Sequence, residues 1–123
     1  EIQAPPNSVG MRFFNVWAEK VSRSDMLYRM LEEKTATYLT RHKRDWIHVN
    51  DIVTAIATLI PSSYNGVLDV GTGNPVSVID LANKMGMGHL PIKEDTPGER
   101  ESTCADISQL MELGWTPTID ILD

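Results

Sequence analysis

The sequence contains little cysteine, a minority of basic residues and no long apolar run. One cysteine among 123 residues, Cys104, excludes an internal disulfide and favours a reducing, cytoplasmic compartment. The 11 basic residues against 17 acidic ones give a net charge of −6, which excludes a general attraction to nucleic acid or anionic lipid. The longest apolar run, residues 56–60, is interrupted by Thr58 and is far shorter than the roughly 20 residues of a membrane span. The chain also lacks a cluster of Cys and His residues that would indicate a metal site.

The remaining composition is that of one folded domain. Hydrophobic residues make up 41% and charged residues 23% of the 123 residues, which is typical of globular proteins and enough for one core. The sequence opens with Glu1 rather than an initiator methionine. We therefore expect residues 1–123 to be one domain and a fragment of a larger parent protein.

Hydrophobic periodicity and capping residues predict strands that alternate with helices. We predict strands at 9–16, 35–40, 45–49 and 66–70, a short strand at 102–105, and helices at 22–34, from 50 or 51 to 60, at 78–85 and at 106–113. The expected N-caps are Ser24, Asn50 or Asp51, and Ser77. This alternation predicts an α/β class, with few short parallel strands flanked by helices.

Strands 9–16 and 66–70 are the two that read as buried on both faces. Because a two-stranded parallel sheet is not stable by itself, this pattern favours truncation or pairing with another copy. An exposed sheet edge is a template for a homodimer.

A glycine loop at 71–73 leads from a strand to a helix, where phosphates and cofactors often bind. A dinucleotide fingerprint would need glycine at 76, where Val76 stands, and no Walker G-K-[ST] follows. The phrase V-L-D-V-G-T-G also resembles the first motif of S-adenosylmethionine-dependent methyltransferases, with Pro75 in place of the third glycine. The structural alternative is a tight turn followed by the Ser77 cap.

Polar residues within apolar segments give further candidates. Asn15 lies inside the predicted strand 9–16, near its carboxyl end, so it either bonds local backbone or faces a ligand at the carboxyl end of the sheet. Arg44 is either a surface arginine or a planar fork for phosphate oxygens. His48 alternates with apolar residues and reads as a packed, hydrogen-bonded histidine, and Cys104 reads as a small core residue.

Four phrases follow one another over nearly the whole chain. They are R-F-F-N-V-W at 12–17, R-D-W-I-H-V-N-D at 44–51, V-G-T-G with V-S-V at 70–78, and P-G-E at 97–99 with A-D-I-S at 105–108 and L-G-W-T-P at 113–117. Together they resemble the nucleotide-sugar epimerases and dehydratases of the extended short-chain dehydrogenase/reductase family. The phrase S-R-S-D-M at 22–26 is faintly similar to the nucleoside-diphosphate uronate epimerases.

The resemblance covers the C-terminal, substrate-binding part of such enzymes. It implies a parent that uses NAD to oxidise a sugar carbon transiently and to return the hydride. The glycine loop for NAD and the Y-x-x-x-K pair of the family do not occur in this sequence. We therefore expect this chain to bind a nucleotide-diphosphate sugar, to hold no NAD and to be inactive alone.

Site roles follow from the resemblance position by position. Asn15 matches an asparagine that contacts the substrate diphosphate, and Arg44 matches an arginine that pairs with it. Tyr38 lies on the segment whose backbone meets the base, and Glu99 matches an acid that binds the ribose hydroxyls. Thr96 stands where the family has a second phosphate-binding arginine.

Three hypotheses remain open at this point. The first is the substrate-binding part of an NAD-dependent epimerase or dehydratase. The second is a non-catalytic module that folds by dimerising. The third is a small methyltransferase, which the glycine loop alone indicates.

Overall fold

The computed structural model describes residues 8–94 and 102–123, which form a mixed α/β chain. The elements in order are β1 (Val9–Phe13), β2 (Asn15–Trp17), α1 (Met26–Glu32), β3 (Lys43–Arg44), β4 (Trp46–His48), α2 (Val49–Leu59), β5 (Gly66–Val70), β6 (Val76–Ser77), α3 (Val78–Lys84) and α4 (Ser108–Glu112). No helix in the described residues is long and apolar enough to cross a membrane.

Short strands pair in three separate places within the described residues. β1 pairs with β5 and β2 with β4, both in parallel, whereas β3 pairs with β6 in antiparallel fashion. The chain steps from the first pair to the second at Phe14, whose N–H still donates to the Val70 carbonyl at 3.3 Å. Because of this step, Asn15 begins β2 just past the carboxyl end of β1.

Strand β4 separates two hydrophobic clusters. Trp46 is buried in one cluster and its neighbour Ile47 in the other, because successive side chains of a strand point to opposite sides. The first cluster includes Trp17, Tyr28, Leu31 and Leu81. The second includes Ala55, Leu59, Leu68, Leu110 and Trp115. β4 therefore belongs to both halves of the core and fixes the residues on either side of it.

The predicted fold class is confirmed, and several predicted elements match. Strand 66–70 is β5, and α3 begins after Ser77, whose Oγ accepts from the Asp80 N–H at 2.9 Å. Gly114, at φ 96°, lies beyond the C-cap of α4, and Trp115 packs after it with 3% exposure. These elements carry strong local signals in a few adjacent residues.

Other predicted boundaries are wrong. Residues 35–40 form no strand, and Leu39 alone bridges to Ile92. The N-cap of α1 is Asp25, because the Ser24 hydroxyl is held by the backbone of Ala18. The N-cap of α2 is His48, whose Nδ1 accepts from the Asn50 N–H at 3.0 Å.

Candidate functional site

One cleft brings together three of the four predicted site residues. Asn15, Tyr38 and Arg44 line the same space, of about 500 Å³, between α1 and the segment that leads into β3. Glu99 and Thr96 lie outside the described residues. The remaining lining residues are Asp25, Met26, Leu27, Met30, Thr40, His42 and Val78.

Backbone pairing explains why Asn15 lies near Arg44. Asn15 is in register with Trp46 in the parallel β2–β4 pair, and its N–H donates to the Asp45 carbonyl at 2.9 Å. Asp45 follows Arg44 directly, so the start of β2 lies beside the end of β3. Asn15 and Arg44, which are far apart in the sequence, therefore line the same side of the cleft.

The Asn15 side chain is held by a residue that the sequence patterns did not single out. Its Nδ2 donates to Asp25 Oδ1 at 2.9 Å, while Asp25 Oδ2 accepts from the N–H groups of Leu27 and Tyr28. One carboxylate therefore caps α1 and orients the amide of Asn15. Aspartate before an apolar helical segment is a recognisable N-cap signal, but its second contact depends on the fold.

Arg44 enters the cleft with its guanidinium fixed at two nitrogens. Nη1 donates to the Lys43 carbonyl at 2.9 Å, and Nη2 lies 3.0 Å from His42 Nδ1. His42 is 7% exposed. A guanidinium held in this way offers planar, charged donors suited to phosphate oxygens.

Tyr38 forms a more open part of the wall. Its side chain is 46% exposed, and Lys93 Nζ lies 5.2 Å from the ring centroid. Met26, Leu27 and Met30 of α1 add apolar side chains to the lining. The cleft thus combines a cation, an amide, a carboxylate and flexible apolar surface.

The glycine loop encloses an internal carboxylate. Asp45 is fully buried, and its oxygens accept from the Thr72 N–H at 2.7 Å, the Thr72 hydroxyl at 2.9 Å, the Gly73 N–H at 2.9 Å and the Ala105 N–H at 3.0 Å. A Cβ at Gly71 would lie 2.9 Å from both carboxylate oxygens. These contacts support the structural alternative, a tight turn, in which the Thr72 and Gly73 N–H groups are already paired with Asp45.

Asp51 plays a similar part on the other side of the same motif. Its carboxylate is 1% exposed and accepts from the Thr118 N–H, the Thr118 hydroxyl and the Ile119 N–H at 2.9–3.2 Å. Trp115 Nε1 donates to the Asp51 carbonyl at 3.2 Å. Asp45 and Asp51, the two acids of the phrase at 44–51, therefore link distant segments of the chain. Arg44 is the one charged residue of that phrase that lines the cleft.

The predictions for His48 and Cys104 have different outcomes. His48 is packed as predicted: its ring makes an edge contact with the Trp17 ring, and the two ring centroids are 4.6 Å apart. Cys104 is exposed, so its predicted place in the core is wrong. Desolvation, with the Asp45 and Asp106 carboxylates nearby, raises the pKa of the Cys104 thiol, which disfavours a reactive thiolate. No group of three or more potential metal ligands occurs in ranges 8–94 and 102–123.

Comparison with solved structures gives consistent neighbours. UDP-glucose 4-epimerase from Thermotoga maritima, solved with UDP-glucose, matches with a TM-score of 0.73 at 19% identity, over 93% of this chain and 42% of that chain. WbmG from Bordetella bronchiseptica, solved with NAD and UDP, matches with a TM-score of 0.75 at 20% identity, over 94% and 41%. UDP-N-acetylglucosamine 4-epimerase from Methanobrevibacter ruminantium matches with a TM-score of 0.66 at 22% identity, over 89% and 40%.

The chain thus spans about two fifths of the length of these structures, as the 40–42% coverage shows. No protein-family model matches the sequence. At 19–22% identity, the likeness is one of fold.

Proposed function

We propose that this chain, which has the fold of the C-terminal part of the NAD-dependent nucleotide-sugar epimerases, binds a nucleoside-diphosphate sugar. The observation that carries the proposal is the shared cleft: Asn15 and Arg44, 29 positions apart in the sequence, line the same 500 Å³ space. Structural neighbours solved with UDP or UDP-glucose support the same ligand class.

The chemistry of the wall suits a diphosphate linked to polar and apolar groups. Arg44 supplies the cation that pairs with phosphate oxygens, and Asn15 supplies an amide in the same space. In this proposal the backbone of the segment that carries Tyr38 meets the base, and the half-exposed Tyr38 side chain lines the same cleft. Glu99 keeps its proposed role with the ribose hydroxyls, outside the described residues.

The parent reaction belongs to a larger enzyme. The sequence holds neither the NAD glycine loop nor Y-x-x-x-K, and the loop at Gly71 is filled by Asp45. We therefore assign no redox step to this chain and place catalysis in a parent epimerase or dehydratase that contains this domain, residues 1–123. A cytoplasmic location stays a prediction from the single cysteine.

Calorimetric titration of the full 123-residue chain with UDP and UDP-glucose tests the proposal. Arg44→Ala removes a charge-assisted contact worth about 1.5–3 kcal/mol, so we expect a loss of roughly 10- to 150-fold in affinity. Arg41→Ala is the matched control, because its side chain is 59% exposed and pairs with Glu94 outside the cleft. Equal affinity of the Arg44 variant and the wild type would contradict the proposal, as would NMR shifts remote from the cleft.

A second candidate, a non-catalytic module that dimerises, has one observation in its favour. Phe13 and Val67 of the β1–β5 pair are 47% and 50% exposed, which is high for large apolar side chains on strands. Sedimentation at increasing concentration distinguishes the two, since a monomer throughout excludes the dimer. The methyltransferase hypothesis loses its motivation, because the loop N–H groups already bind Asp45.

A further inference from the structure

We propose that His42 is a positioning residue that holds Arg44 in the orientation that grips the ligand diphosphate. The inference rests on the proposed function and adds to it a residue that no sequence motif indicated. His42 lines the cleft together with Arg44. Its position two residues before Arg44 places both side chains on the same side of the extended segment.

The chemistry of the contact fixes its direction. Arg44 Nη2 lies 3.0 Å from His42 Nδ1. A guanidinium carries donors and no acceptor, so Nδ1 accepts and must be without a proton. His42 therefore acts as the neutral tautomer with its proton on Nε2.

The support under His42 is rigid. The side chain is 7% exposed, and the His42 carbonyl accepts from the Val78 N–H at 3.0 Å at the start of α3. The neighbouring Lys43 is in register with Ser77 in the β3–β6 pair. The backbone that carries the buried imidazole is thus anchored to a helix and a strand pair, while Arg44 is the longer and more flexible partner.

Two contacts from two terminal nitrogens fix the plane of the guanidinium. One acceptor, the Lys43 carbonyl, is main chain. The other, His42 Nδ1, belongs to a side chain and can be removed by substitution. Holding the arginine before the ligand arrives lowers the entropy lost on binding, which is the usual benefit of preorganisation.

Three variants separate an acceptor at the right place from other effects. His42→Asn puts its Oδ1 the same number of bonds from Cβ as Nδ1, His42→Gln carries the same amide one bond farther out, and His42→Leu has no acceptor. We expect UDP affinity in the 123-residue chain to fall about fivefold or more for Leu. We expect a similar loss for Gln and an affinity within about twofold of the wild type for Asn.

A double-mutant cycle with Arg44→Ala distinguishes an effect of His42 on UDP affinity through Arg44 from a general effect on the fold. If His42 acts through Arg44, His42→Leu has no further effect on UDP affinity once Arg44 is absent. A loss of the same factor in both backgrounds overturns the inference.

The nitrogen-15 chemical shifts of His42 in the wild type give a test that needs no ligand and no variant. We expect Nδ1 to be unprotonated and Nε2 to be protonated; a protonated Nδ1 would overturn the inference even if UDP binds. Failure of the wild type to bind UDP, with the expected tautomer present, would instead count against the proposed function.

Discussion

Tyr28 is the buried tyrosine of the first hydrophobic cluster, and its hydroxyl lies 3.5 Å from Glu32 Oε2. Desolvation, followed by the charges of Glu32 and Glu19, raises the pKa of Tyr28 from 10.0 to about 12. The folded state therefore holds the phenol proton more tightly than the unfolded chain does. Tyr28 therefore contributes to a dependence of folding stability on alkaline pH.

We expect the stability that Tyr28 contributes to be fully present below pH 10 and to be lost as the pH rises through about 12. The unfolded chain releases the proton first, so the free energy of unfolding falls by roughly 2–3 kcal/mol across that window. Urea unfolding at a series of alkaline pH values measures the slope. Tyr28→Phe removes the proton, and a slope that stays the same in this variant would show that another group is responsible.

Short helices in this chain depend on their caps. α1 has seven residues, a length at which isolated helices are not stable in water. Asp25 compensates by accepting from Leu27 and Tyr28, and its other oxygen accepts from Asn15. The element and the cleft wall therefore share one carboxylate.

For helix α1, we expect Asp25→Ala to lower the free energy of unfolding by about 1–2 kcal/mol, because α1 loses its cap. Asp25→Ser keeps a good N-cap oxygen but is too short to hold Asn15, so it should recover most of the stability. Urea unfolding gives the free energies, and hydrogen exchange of the Leu27 and Tyr28 amides reports on the cap itself. Equal destabilisation by Ala and Ser would mean that the Asn15 contact, and not the cap, carries the loss.

At the scale of the molecule, two buried acids link described segments that are distant in the sequence. Asp45, between β3 and β4, accepts hydrogen bonds from the glycine loop and from Ala105, and Asp51 of α2 accepts one from Thr118. Both replace a continuous sheet as the link between distant segments, since the described strands pair only two by two. A small fold with such short strands depends on these polar contacts more than a large sheet does.

We expect Asp45→Asn to lower the free energy of unfolding by at least about 3 kcal/mol, because an amide NH₂ would face buried N–H donors in place of an acceptor. Glu112→Gln is the matched control for charge, since Glu112 is exposed on α4. Chemical denaturation followed by circular dichroism measures both variants. An Asp45→Asn chain as stable as the Glu112→Gln chain would show that the hydrogen bonds of Asp45 do not stabilise the fold.

Local sequence determined the elements whose signals lie within a few residues. β5 follows from an apolar run after a glycine, and α3 from Ser77 and Asp80. The strand predicted at 35–40 is wrong. Its side chains alternate as in a strand, but in the fold Leu39 forms a single bridge, to Ile92. Asp25 is the N-cap instead of Ser24 because the Ser24 hydroxyl bonds the backbone N–H and carbonyl of Ala18. No local sequence pattern predicts that contact.

The family resemblance in the sequence predicted the candidate site residues, and three of them, Asn15, Tyr38 and Arg44, line one cleft, whereas Glu99 lies outside the described residues. Only the tertiary structure decided what holds these residues in place. The partners Asp25 and His42, and the burial of Asp45 beneath Gly71, arise where segments distant in sequence meet. The physical reason is that side-chain identity is encoded locally, whereas the partner of a buried polar group depends on which strands and loops the fold brings within hydrogen-bond distance.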